Sequence, residues 1–263
     1  MYKHALFLAL VAGLTLPLSS QQAQAATTAT AANPAIHTIL NLQGIETVAY
    51  RTTTAFYLFS VLNRDPQQFR KMQTLLTEGD GLINKAANPA LTLKWGELKK
   101  ACTSARFTTE GVAETASLNA VDVALNNLAL AVRSNINEQR TSGKVAVDKM
   151  ADMLYDQYVT MQIMTSAYLR DSADYFGGGV VFTDSDSLEI DKMAAKFDSQ
   201  LNQLNKHYSK NTKIAPLLKD ITTRWVFVRK SFINYNEKNV PFVVGRYNEQ
   251  ITNKLLQAYA LLL

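Results

Sequence analysis

Cysteine is almost missing from this chain: Cys102 is the single one in 263 residues. No internal disulfide can form, and thiolate metal sites of the C-x-x-C type are excluded. Cys102 sits in the apolar pattern of its segment, which predicts a buried, inert thiol. Histidine is scarce as well. His37 and His207, the two that follow the amino-terminal segment, lie far apart with no H-x-x-x-H spacing and no C-x-x-C-H haem signature. Metal and haem cofactors are therefore not expected. Paired catalytic carboxylates, a G-x-S-x-G elbow and a phosphate-cradling glycine loop are all missing, so no nucleophile–base pair suggests an enzyme. "DSDSLE" (184–189) lacks the glycine and the third acid of a calcium loop and reads as helix capping. The 27 Lys+Arg and 22 Asp+Glu give a net charge of +5. They are interspersed, with no basic stripe interleaved with aromatics, which argues against nucleic acid as a partner.

Long apolar runs are also missing, with one exception at the start. Residues 5–18, "ALFLALVAGLTLPL", follow Lys3 and His4 and precede "AQA" at 23–25. That layout predicts a cleaved signal peptide over residues 1–25, a mature start at Ala26, a periplasmic location and no integral membrane segment after cleavage.

What the chain does have is helical period. Turn residues are sparse, with 11 Gly and 6 Pro, and Ala, Leu, Asn and Gln are abundant. Positions 42, 45, 49, 52, 56 and 59 alternate spacings of three and four. Val147, Met150, Leu154, Met161, Met164 and Tyr168 mark a second seam; Leu217, Ile221, Trp225, Val228 and Phe232 a third; Val244, Tyr247, Ile251, Leu255, Ala258 and Leu262 a fourth. Asp65-Pro66 and Asp186 with Glu189 read as helix starts, and Pro89, Pro216 and Pro241 sit at or near others. "GGGVVF" (177–182) is the one short β-like scrap and reads as part of a crossover.

The pattern also repeats. "DPQQFRKMQTLLTEGDGLINK" (65–85) aligns without gaps on "DSLEIDKMAAKFDSQLNQLNK" (186–206), matching Asp65/Asp186, Lys71/Lys192, Met72/Met193, Asn84/Asn205 and Lys85/Lys206. Each copy follows a helix with a Tyr-Leu pair, Tyr57-Leu58 and Tyr168-Leu169. Each precedes a helix with a basic-Trp pair, Lys94-Trp95 and Arg224-Trp225. Each set ends on an Asn-containing helix, "ALNNLALAV" (124–132) and "ITNKLLQAY" (251–259). The expected fold is all-α: two tandem up-down four-helix bundles made by internal duplication, over residues 33–136 and 145–263, joined near "NEQRTSGK" (137–144).

The opening helix carries a resemblance. "NLQGIETVAYR" (41–51) resembles the start of the type IV pili methyl-accepting chemotaxis transducer N-terminal (PilJ-like) domain. Asn41, Leu42, Gly44 and Arg51 match its first motif, Trp95 and Trp225 its third-helix tryptophan, and "YNEQI" (247–251) its fourth-helix asparagine segment. The family is a helical sensory module, and in related nitrate-sensing bundles first-helix arginines grip an anion between subunits. Ile45 and Thr47 stand where the family tends to carry arginine. The resemblance implies a soluble, non-catalytic periplasmic sensory or binding module. It implies a ligand site at Asn41, Gly44, Arg51 and Trp95, and a small anionic ligand or an envelope signalling or pilus protein as partner. The alternative is a structural or assembly factor of the cell envelope. On the residues alone, Arg51 could receive an anion bidentately or lay its stem on the core with its head in water. Gly44 could allow close helix approach, and Trp95 could wall a pocket or pack in the core. The residue equivalent to Arg51 in the second repeat, counted from the Tyr-Leu pairs, is the uncharged Gln162.

Overall fold

Among the described residues every regular element is a helix. In the computed structural model the described residues are 34–104, 107, 114–143, 145, 148–176, 190–234 and 240–262. Residues 1–25, expected to be a signal peptide, Val147, the expected Asp186–Glu189 helix start and residues 177–189 lie outside them. Eight helices are bounded among the described residues, in order: α1 (Pro34–Val61), α2 (Pro66–Ala86), α3 (Pro89–Cys102), α4 (Thr115–Ser142), α5 (Lys149–Phe176), α6 (Ile190–His207), α7 (Ile214–Ile233) and α8 (Pro241–Ala260). Among the described residues no helix is long and apolar enough to cross a membrane.

Local chemistry sets the helix ends. Asp65 caps α2 by accepting from Gln67 N at 2.9 Å, with Pro66 at the first position. Asn88 accepts from Ala90 N and Leu91 N ahead of α3, Asp148 from Met150 N and Ala151 N at the start of α5, and Asn211 from Lys213 N and Ile214 N ahead of α7. Each satisfies backbone donors that the first turn leaves unpaired. Pro89 and Pro241 open their helices, and Pro216 stands in the first turn of α7. α4 runs on to Ser142, past the expected boundary at 136, because "NEQRTS" continues the helix without a breaker.

Helix α1 packs on α2, α4 and α5, and α3 lies on α4. Helix α5 in turn packs on α6 and α8, with α6 against α7 and α7 against α8. One continuous core runs through all of them, from Ile39 to Tyr259. The sequence seams are where the burial is: Leu154, Met161, Met164 and Tyr168 on α5, Ile221, Trp225, Val228 and Phe232 on α7, and Val244, Ile251, Leu255 and Ala258 on α8 are all buried.

The two Trp helices use one hydrogen-bonding device. Trp95 Nε1 donates to Asp80 Oδ1 at 2.8 Å, and Lys99, one turn further on, reaches Asp80 Oδ2 at 2.6 Å. Trp225 Nε1 donates to Asp198 Oδ1, and Arg229, again one turn on, pairs with Asp198 Oδ2 at 2.6 Å. This pairs Asp80 with Asp198, one helical turn out of step with the gap-free alignment, which sets Leu201 opposite Asp80. The buried faces follow the shifted register: Met72 matches Ile190, Leu76 matches Ala194, Gly79 matches Phe197 and Ile83 matches Leu201, all buried. The Lys and Asn identities of the alignment lie on half-buried or exposed positions, which do not decide how a helix sits. Gly79 and Phe197 also show how the two Trp environments differ. A Cβ on Gly79 would stand 2.1 Å from the Trp95 ring, so the indole lies directly on the α2 backbone. Beside Trp225 the Phe197 ring fills that layer, 4.4 Å away.

Candidate ligand cleft at the α1–α2–α8 seam

Helix α1 is buried on nearly every face, yet it is not apolar all round, as such a helix usually is. Gln43, Glu46, Thr52, Thr53 and Thr54 are all buried with it. Thr52 and Thr53 return their hydroxyls to their own helix. The others face neighbouring helices and form a polar seam.

At its centre is Glu46, with 0% exposure. Its carboxylate accepts from Arg133 Nε of α4 at 2.7 Å and from Tyr155 OH of α5 at 2.7 Å, while Arg133 Nη2 donates to Tyr50 OH at 3.3 Å. Burial, then the negative charge of Glu46, pushes the Tyr155 hydroxyl well above its ordinary range. A buried carboxylate needs this full set of partners, because an unpaired charge here would be expensive. Two ion pairs flank the centre along α4 and α5: Arg140 with Asp152 at 2.5 Å, and Arg170 with Asp122 at 2.7 Å. Burial raises the Asp122 carboxyl, against the pull of Arg170. Tyr57 OH donates to Asp122, and at the matching Tyr-Leu pair Tyr168 OH accepts from Val240 N at the start of α8.

On the α8 side the seam opens into a cleft of about 250 Å³. Helix α8 runs antiparallel to α1 there, since Gly245 meets Leu58 and Tyr259 OH accepts from Gln43 Nε2. Gly245 is required for the approach, because a Cβ would stand 2.8 Å from Leu58 Cδ1. Arg51 and Thr54 of α1, Gln68 and Lys71 of α2, Gln162 of α5, and Arg246, Asn248 and Glu249 of α8 line the space. Lys71 pairs with Glu249 at 3.0 Å across it. Arg51 is loosely held, 3.8 Å from Glu78, with the two side chains 37% and 47% exposed. Arg246 is exposed and makes no ion pair among the described residues. Asn248 Nδ2 donates to Gln162 Oε1 at 3.1 Å, and Gln162 Nε2 donates to Tyr158 OH at 3.1 Å.

The four residues expected at the site do not meet. Arg51 lines the cleft. Asn41 instead donates Nδ2 to Leu82 O at 3.1 Å, and Gly44 faces Leu82 at van der Waals distance, so both set the approach of α2 to α1. Trp95 is buried and committed to Asp80 and Gly79. Gly44 and Arg51 stand about two turns apart on the side of α1 that meets α2, where Arg51 pairs with Glu78, and only at the Arg51 level does α8 close the space. Lys71, Arg246 and Asn248 escaped the sequence reading, although Asn248 lies inside the quoted "YNEQI". Glu46 left a plainer signal, being the single acid of α1.

Cys102 is buried, and burial pushes its thiol far up, which fits an inert side chain. Among the described residues no group of three His, Cys, Asp or Glu side chains could hold a metal ion. No family model matches the chain, and neither a curated protein nor a solved structure matches it.

Proposed function

We propose that this protein is a non-catalytic binding module of a periplasmic sensory type. In this reading a four-helix unit has been duplicated, α1–α4 and α5–α8 are its two copies, and a small anionic ligand sits where the copies meet. The observation that carries it is the cleft. Three cationic side chains, Arg51, Lys71 and Arg246, face one acid, Glu249, around a space with a polar floor. Two of the three cations are held weakly or not at all, which suits guanidinium groups that receive an anion. The duplication is supported by the shared Trp–Asp–cation device and by α1 and α5 lying side by side. Glu46 and Gln157, which stand at equal distances before the two Tyr-Leu pairs, are both fully buried. The periplasmic assignment and the kinship with PilJ-like sensory domains rest on the amino-terminal pattern and on the 41–51 motif.

The test is Arg51→Gln. Titration with small oxyanions and carboxylates, followed by melting, should show a saturable stabilisation of the wild type. The variant should bind about 10- to 150-fold more weakly, the equivalent of a charge-assisted hydrogen bond of about 1.5–3 kcal/mol. Its melting temperature without ligand should barely move, because an exposed pair such as Arg51–Glu78 contributes about 0–1 kcal/mol. Equal affinity in both proteins removes Arg51 from the site.

A second reading, a structural or assembly factor of the envelope, is favoured by one observation. Val226 and Phe227 on α7 are each 65% exposed, with the Phe227 ring stacked 4.8 Å from Tyr247. Stable co-purification with an envelope complex, without any response to ligand, would support it.

A further inference from the structure

The cations of the cleft account for an anion, but not for its floor. Three oxygens shielded from solvent there have no hydrogen-bond partner: Thr54 Oγ1 on α1, Gln68 Oε1 on α2 and Asn248 Oδ1 on α8. Thr54 and Asn248 are 8% and 3% exposed. As the amides stand, the Asn248 nitrogen donates to Gln162, which in turn donates to Tyr158. The Asn248 carbonyl oxygen is therefore the end left over. Other orphaned oxygens occur along α1 and α5, at Asn41, Gln43, Gln157, Thr165 and Ser166. In the cleft, three of them from three helices line one space. A buried acceptor without a donor is costly, and such groups in folded proteins nearly always find a partner. Sulfate or nitrate would satisfy the cations and could accept from the Thr54 hydroxyl, but would bring no donor to the Gln68 and Asn248 oxygens.

Resting on the reading of the cleft as an anion site, we infer that its ligand is a small organic acid carrying hydrogen-bond donors on its carbon skeleton, a hydroxy- or amino-carboxylate. The acid groups lie toward Arg51, Lys71 and Arg246, and the donors toward Thr54, Gln68 and Asn248. Lys71 is paired with Glu249 and Arg51 only loosely with Glu78, while Arg246 has no ion pair among the described residues, so the cleft takes one acid charge at Arg246 and a second where Arg51 leaves its long pair. The space, about 250 Å³, lies just below the range of ordinary ligand pockets, which suits a molecule of this size.

The test uses four-carbon diacids that differ at one atom. Succinate has no donor on its chain, L-malate adds a hydroxyl and L-aspartate an ammonium. Sulfate serves as the donor-free inorganic anion. Calorimetric titration of the wild type at fixed ionic strength should show malate or aspartate binding tighter than succinate or sulfate by about 2- to 13-fold for each extra hydrogen bond. Malate ahead of aspartate assigns the donor as hydroxyl; the reverse assigns it as ammonium. The companion variant is Thr54→Val. Its hydroxyl has no partner to lose, so the melting temperature should hold, while affinity for the preferred acid falls about 2- to 13-fold and that for succinate does not. Equal binding of succinate and the donor-bearing acids overturns the inference and leaves the anion site standing. Preferred-acid affinity unchanged in Thr54→Val overturns the placement of the donors on this floor. Binding of none of the four overturns both the inference and the anion site.

Discussion

Two glycines on one helix should respond to the same substitution with opposite signs. Gly79 and Gly81 both lie inside α2, where glycine costs roughly 0.8–1 kcal/mol relative to alanine. A Cβ on Gly81 meets nothing within 4 Å, so Gly81→Ala should recover most of that and stabilise by about 0.4–1 kcal/mol. A Cβ on Gly79 would stand 2.1 and 2.2 Å from two ring carbons of Trp95. Those atoms belong to a buried ring, not to the tip of a flexible chain, and the ring is pinned by its bond to Asp80. Moving it costs about 1–3 kcal/mol of overpacking, and losing the indole hydrogen bond costs about 1 kcal/mol more. Against the propensity gain, Gly79→Ala should destabilise by about 1–3 kcal/mol. For a fold of this size that is a fall in melting temperature of roughly 2–12 °C. Denaturant titration of both variants, read by tryptophan fluorescence, supplies the comparison. If Gly79→Ala proves as stable as Gly81→Ala, the indole does not lie on the helix backbone and the packing argument fails.

Two further outcomes follow from named groups. Arg133→Met leaves the Glu46 carboxylate buried with Tyr155 as its remaining close donor; with Arg133 39% exposed, about 2–3 kcal/mol should be lost. The double variant Glu46→Gln/Arg133→Met should regain most of it, and a strictly additive loss in denaturant titrations would refute the pairing. Burial alone would raise the Asp80 carboxyl, but hydrogen bonds from Lys99 and Trp95 outweigh it and hold it below the usual carboxylate range. A depressed folded pKa gives stability that is present above the unfolded value, about 3.9, and is lost as pH falls through the folded one. The stability gap between wild type and Asp80→Asn should therefore stay constant near neutral pH and shrink below about pH 4; a constant gap down to pH 2 would count against the assignment.

Helical class and seams were legible because burial follows period: Ile221, Trp225, Val228 and Phe232 are spaced for one face and lie on it. The register in which α2 and α6 meet their tryptophans was not, because identities such as Asn84/Asn205 sit away from the faces that pack, whereas Gly79 against Phe197 looks like no match at all until the tryptophans are seen beside them. The candidate site was legible at Arg51, a lone cation in an apolar stretch. Lys71, Arg246 and Asn248 belong to helices that are ordinary amphipathic surfaces on their own. Tertiary packing alone brings these residues to Arg51, and no local spacing records it.

The polar seam also constrains the order in which the molecule can be completed. Gln43 waits for Tyr259, 216 residues later in the chain, and Glu46 for Tyr155, 109 residues later. Contacts of such separation close slowly, because the loop entropy comes before the reward. Helix α1 can coil as soon as it is made, but its carboxylate has no finished environment until α4 and α5 arrive. Its glutamine has none until the last turn of α8 docks. Helix α1 is therefore among the last to reach its final surroundings, and a carboxy-terminal truncation would be felt at residue 43.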